Sequence, residues 1–203
     1  MRLNTKGKYG KGDKKHCNPE TTTYVNLQNK FNMAKTYVAG VLVVSKENRK
    51  NNTLKDEIGS KVKRNAILET RHVHLLELII DSLHEIMGYI WLRKNKKQGN
   101  TKFLDKCLLY VEDELYNYLL PYSDSHPEFI TFYSNLAHEL EKTTSFIRVV
   151  EGEIGSDYYN DLGIDREKVL AYINRLSTLT FWMASYYNED GNSKYWKKFK
   201  DFR

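Results

Sequence analysis

The chain has 203 residues, 40% of them hydrophobic and 29% charged, a mixture that suits one folded domain with a single core and excludes a disordered polymer. Its formal net charge is +6, and the excess sits at the ends: residues 1–20 carry six Lys/Arg against two Asp/Glu, and residues 194–203 carry five against one. Two cysteines, Cys17 and Cys107, exclude a disulfide framework and a paired-cysteine metal site, and no apolar run is long enough to span a membrane.

Residues 1–20 alternate glycine and lysine without a hydrophobic period and read as a basic arm. The start is rich in Lys/Arg and has no apolar signal core. With the sparse cysteines, this predicts a reducing compartment, either the cytoplasm or a mitochondrial matrix. Residues 21–65 read as an insertion or linker. The β-branched run Val41–Val44 suits a strand, Asn26–Ala39 suits a helix equally, and the polar stretch 46–64 suits an exposed connection.

From Ala66 the pattern becomes helical. Leu75, Ile79, Leu83, Ile86 and Ile90 recur at helical spacing in a first predicted helix. Leu104, Leu108, Val111, Leu115 and Leu119 mark a second, over 102–120. A third is expected from about Pro127 to Ile154, with Leu136, Leu140, Thr143, Ile147 and Val150 on one stripe and Pro127 in the first turn. A fourth is expected from Asp165 to about Tyr187, on Val169, Tyr172, Ile173, Leu176, Leu179, Met183 and Tyr186. Asp165 supplies its start signal and Gly191 its stop. Residues 191–203 form a basic tail. The expected architecture is all-α: an antiparallel four- or five-helix bundle over residues 66–190.

In such a bundle, chemistry should show as polar groups beside the apolar stripes. Asp81, His84 and Glu85 share one turn of the first predicted helix. Arg148 and Glu151, spaced i and i+3, share a face of the third. Asn174, Arg175 and Ser177 interrupt the fourth. Groups on two helices facing one groove would suit a nucleotide or another anion, whereas an isolated Arg148–Glu151 pair would be an ordinary surface ion pair. His72 and His74, at i and i+2, point opposite ways on a helix and cannot share a metal ion. No phosphate-loop, dinucleotide-binding or nucleophile-elbow motif is present.

The stretch "VLAYINRLSTLTFWMASYYN" resembles the C-terminal helix of the PduO-type ATP:cob(I)alamin adenosyltransferases, roughly Y-L-N-R-L-S-D-x-L-F-x-x-A-R. Tyr172, Asn174, Arg175, Leu176, Ser177, Phe181 and Ala184 fit it. Three more stretches follow the family's order. "DSLHEIMGYIWLR" is similar to D-E-L-N-S-x-I-G-x-A-R at Asp81, Leu83 and Gly88. "LEKTTSFIRVVEGEI" is similar to L-H-x-A-R-T-x-x-R-R-A-E-R at Leu140, Arg148 and Glu151. "PEFITFYS" stands where the family has F-I-L-P-G-G, with Phe129 and Ile130 near register. The arm "NTKGKYGKGD" resembles the family's phosphate-binding segment.

The resemblance implies a five-helix bundle, usually a homotrimer, that moves the 5′-deoxyadenosyl group of ATP, bound with Mg, to the Co(I) of cobalamin. It implies that Thr5, Lys6, Arg148, Glu151 and Asn174 hold ATP, and that Asp81 and Phe129 lie on the corrinoid side. The chain departs from the pattern at several positions: Thr144 stands where the family has the Arg that pairs with the Asp at 81, and Val149, Thr178 and His84 replace a further Arg, Asp and Asn. Two other readings follow from the same residues: a bundle of this lineage that binds nucleotide or builds a larger assembly without catalysis, and a helical interaction protein whose basic ends bind nucleic acid.

Overall fold

The structure, a computed structural model, describes residues 19–56, 67–119, 130–132, 134–156, 165–188 and 193–195. Thr5, Lys6, Pro121, Pro127, Phe129 and Gly191 lie outside the described residues.

Five helices dominate: α1 Pro19–Asp56, α2 Thr70–Lys94, α3 Lys102–Glu114, α4 Asn135–Gly155 and α5 Arg166–Tyr186. The chain continues from α3 as a π-helical segment, Leu115–Leu119. Two short strands, β1 Ile130–Phe132 and β2 Ser193–Tyr195, pair antiparallel with Ile130 opposite Tyr195. Going round the bundle, neighbours follow the order α1, α2, α3, α5, α4, and α4 closes on α1.

Direction follows from which residues meet. Gln28 donates to Met87 O, and Ser45 Oγ accepts from Leu68 N, so α1 and α2 run oppositely. Lys30 pairs with Glu153 while Tyr37 stacks on Phe146, so α1 and α4 also run oppositely. Glu151 meets Asn174 and Ser134 meets Tyr187, which sets α4 against α5. Lys168 pairs with Asp105 and Arg175 with Glu112, so α3 and α5 are parallel. The bundle is therefore up-down-up-down-up.

The segment 21–56, which sequence left open between strand, helix and linker, is the long helix α1. Besides Thr23, its buried residues among those described are Tyr24, Leu27, Phe31, Ala34, Val38, Val41 and Ser45, alternately three and four apart. That is a heptad-like seam, and it packs on α2 and α4. A strand would turn Val41 and Val43 to one side. Instead Val41 is fully buried and Val43 is 54% exposed. Residues 46–51 are mostly exposed, as expected, yet remain helical.

Where side-chain burial is described, the predicted core stripes of the later helices are buried, except that Leu108 and Tyr186 are half-buried; Leu119 lies outside that description. The helix expected from about Pro127 starts instead at Asn135. Ser134 Oγ accepts from Ala137 N at 3.2 Å and caps it, while Ile130–Phe132 upstream are taken into β1. Part of the expected basic tail is likewise a strand, Ser193–Tyr195. At α5 the start signal is real. Asp165 caps Lys168 N, accepts from Thr101 Oγ1 at 2.7 Å, and donates its own backbone N–H to the Tyr89 hydroxyl oxygen. Arg166 closes the other side of this end by donating to Ile154 O and Gly155 O, the last carbonyls of α4. No helix among the described residues is long and apolar enough to cross a membrane.

Candidate functional site

The α4–α5 seam carries most of the polar residues singled out by sequence. Midway along it, Thr144 is buried and donates to Leu140 O and to Thr180 Oγ1 at 2.8 Å. Thr180 in turn bonds Leu176 O, so the hydroxyl contact is satisfied wholly within the core. Two turns further along α4, the Glu151 carboxylate accepts from Asn174 Nδ2 at 2.7 Å and from Ser177 Oγ at 3.3 Å. Asn174 Oδ1 faces Arg175 Nη1 at 3.4 Å, and Arg175 Nε donates to Glu112 of α3 at 3.1 Å. A polar run thus crosses three helices: Glu151, Asn174, Arg175, Glu112.

This run lines a groove of about 440 Å³, with Leu108, Leu170 and Ala171 as its apolar wall and Glu167 at its rim. Three carboxylates face one guanidinium there, and that guanidinium is already paired. Such a groove suits hydroxyl and amine groups rather than a polyanion. Arg148 lies outside it, one turn before Glu151 on the exposed side of α4, with its guanidinium 5.9 Å from the centre of the Phe181 ring.

The other predicted residues are placed differently. Asp81 is exposed on α2 and forms no ion pair among the described residues. Its charge is felt by the buried Cys107 thiol of α3, whose pKa is raised first by burial and secondarily by Asp81. His84, three residues on, accepts from Lys35 Nζ of α1 at Nε2, at 3.0 Å. Glu151 and Asn174 therefore touch, Arg148 adjoins them, and Asp81 stands apart on another helix. Thr5, Lys6 and Phe129 lie outside the described residues.

A second polar cluster lies at one end of the bundle, where sequence reading set His72 aside. His72 is fully buried. Its Nε2 is 2.7 Å from Glu114 Oε1, and its Nδ1 meets the Tyr187 hydroxyl. That hydroxyl also accepts from Glu69 N at 2.9 Å. Arg71 Nη1 faces the same Glu114 oxygen at 3.5 Å, and its Nε donates to Glu69 at 2.8 Å. Tyr186 donates to the other Glu69 oxygen. Burial pushes the His72 pKa below its ordinary 6.5 despite the neighbouring carboxylate. Burial likewise raises the Tyr187 phenol. Burial works against the Glu69 charge, but hydrogen bonds from Tyr186 and Arg71 outweigh it and hold the carboxyl below its usual range. The missed signal was spacing: His72 lies three and four residues before Leu75 and Leu76 and seven before Ile79, on the core face.

No family model matches the chain, and a search of curated proteins finds no match.

Proposed function

We propose that the chain binds ATP along the α4–α5 seam, in the manner of the corrinoid adenosyltransferases it resembles. The observation that carries the reading is the Glu151 carboxylate held by Asn174 and Ser177 across two helices, with Arg148 one turn away. The two ends of this surface differ in charge as a nucleotide does. The amide and carboxylate suit ribose hydroxyls and an exocyclic amine. The exposed Arg148 guanidinium, set over the Phe181 ring, suits phosphate.

In the reaction the resemblance implies, the corrinoid supplies a Co(I) nucleophile for the 5′ carbon of ATP, and the protein supplies position. The described residues fit the nucleotide side of that scheme and not the corrinoid side. Among the described residues Asp81 has no cationic partner, and the position of the pairing Arg is Thr144, whose hydroxyl bonds Thr180 inside the core. This observation favours a bundle that binds nucleotide without transferring adenosyl, as a structural or regulatory subunit.

Two measurements on the full chain test the pair of readings. Calorimetry with MgATP should register binding, weakened at least tenfold in Arg148→Ala and in Asn174→Ala. Equal affinity in both variants and the parent would put the site elsewhere. Incubation with ATP and reduced cobalamin should give neither adenosylcobalamin nor triphosphate. Turnover there would restore the catalytic reading.

A further inference from the structure

We propose that His72, Glu114 and Tyr187 form a proton-operated latch that pins the C-terminal end of α5 to the first turn of α2 and the last turn of α3. The hydrogen-bond roles can be assigned from chemistry. Glu114, which also faces Arg71, acts as a carboxylate and can only accept, so His72 Nε2 must carry the ring proton. Nδ1 is then the acceptor and takes the Tyr187 hydroxyl proton, while the phenol oxygen accepts Glu69 N–H. Both ring nitrogens of His72 and both the hydrogen and the oxygen of the Tyr187 hydroxyl are thereby used. The arrangement works for neutral histidine only.

A second proton on the ring puts an N–H on Nδ1, aimed at a phenol oxygen that already accepts Glu69 N–H. The phenol hydrogen loses its acceptor in a buried place, and the ring must carry its charge without water. The groups facing His72 are Glu69 and Arg71 at the start of α2, Glu114 at the end of α3, and Tyr186 and Tyr187 at the end of α5. Among the described residues, no titratable group of α1 or α4 is bonded to the ring. Glu114 favours the added proton, and Arg71, burial and the donor conflict oppose it.

Release would reach beyond the three residues. The Tyr187 carbonyl accepts from Ser134 Oγ at 3.1 Å, and Ser134 caps α4. Strand β1 enters this cap, and β2 follows α5. The latch therefore also ties the end of α5 to the cap of α4, and it adjoins the π-helical segment that follows Glu114.

Hydrogen exchange by mass spectrometry on the full chain tests this, with rates corrected for the intrinsic effect of pH. Between pH 7.5 and 5.5, protection over residues 69–73 and 185–188 should fall at least fivefold more than protection over 143–150. His72→Gln and Tyr187→Phe should each flatten that difference. A uniform loss across the bundle, or an unchanged regional response in a folded variant, would overturn the latch. If both variants fail to fold, the regional pattern of the parent chain decides alone.

Discussion

Thr144 and His72 show how a single side chain's surroundings decide its meaning. Thr144 occupies the position where the resembled family has Arg, yet its hydroxyl is buried and bonded to Leu140 O and Thr180. Restoring the arginine would drive a cation into this buried seam, where Glu151 lies two turns away and is already bonded to Asn174 and Ser177. We predict that Thr144→Arg costs about 3–5 kcal/mol in denaturant unfolding. A neutral effect would mean that this face of α4 is open to solvent. His72 has the opposite history. Its spacing was legible in sequence, but its burial against Glu114 and Tyr187 needed three helices brought together. Because burial depresses its pKa in the fold, the unfolded chain binds the proton more tightly. Its stabilising contribution is complete above 6.5 and is lost as pH falls from there toward the lower folded-state value. Unfolding free energy measured between pH 8 and 5 should decline over that window, and less so in His72→Gln.

Individual elements were legible where their apolar stripes were uniform and obscured where those stripes were mixed. In α2 and α5, Leu, Ile, Val and Met recur on the buried face, and Asp165 marked a start that the structure keeps. In α1 the seam runs through Tyr24, Leu27, Phe31, Ala34, Val38, Val41 and Ser45. The alanine and serine dilute its contrast, while Val43 and the half-buried Leu42 and Val44 mimic a strand. A paired substitution separates the two readings energetically. Val41→Ala should destabilise by about 1–2.5 kcal/mol through lost burial and a cavity. Val43→Ala, on the exposed face, should change stability by no more than about 0.5 kcal/mol. Equal costs would contradict the helix register. The end of α2 offers an independent check. Lys97 N bonds Leu92 O and Lys96 N bonds Arg93 O, both at 2.9 Å, with Lys96 between them at a φ of 55°. This is a Schellman closure that normally uses glycine. Lys96→Gly should therefore raise stability by about 0.5–1 kcal/mol, read as an upward shift of the thermal midpoint. The short ribbon was not legible, because three-residue strands carry too little pattern and Ile130 and Tyr195 lie far apart in sequence.

For the molecule as a whole, what matters is whether α1 belongs to the bundle. The resemblance covers the N-terminal arm and residues 66–190 and treats residues 20–65 as extra. The ring of neighbours says otherwise, because α1 lies between α2 and α4 and covers the apolar faces of both. Leu27, Phe31, Ala34, Val38 and Val41 are fully buried there. The four larger ones are worth about 1.5–3 kcal/mol each on burial, and the faces they leave on α2 and α4 would be exposed as well. That total matches or exceeds the roughly 5–15 kcal/mol by which a domain of this size is stable. Polar ties add less: Lys30–Glu153 and Lys35–His84 are solvent-facing, Gln28 to Met87 O is part-buried, and Ser45 to Leu68 N is buried. We therefore predict that a chain lacking residues 1–56 loses cooperative unfolding by calorimetry and its near-ultraviolet dichroism, while keeping helical far-ultraviolet dichroism from α2 to α5. Removing only residues 1–18 should leave the transition within a few degrees of the parent. If the 57–203 chain instead melts as sharply as the whole protein, α1 is an accessory laid on a four-helix domain, and the limits drawn from the resemblance are the true ones.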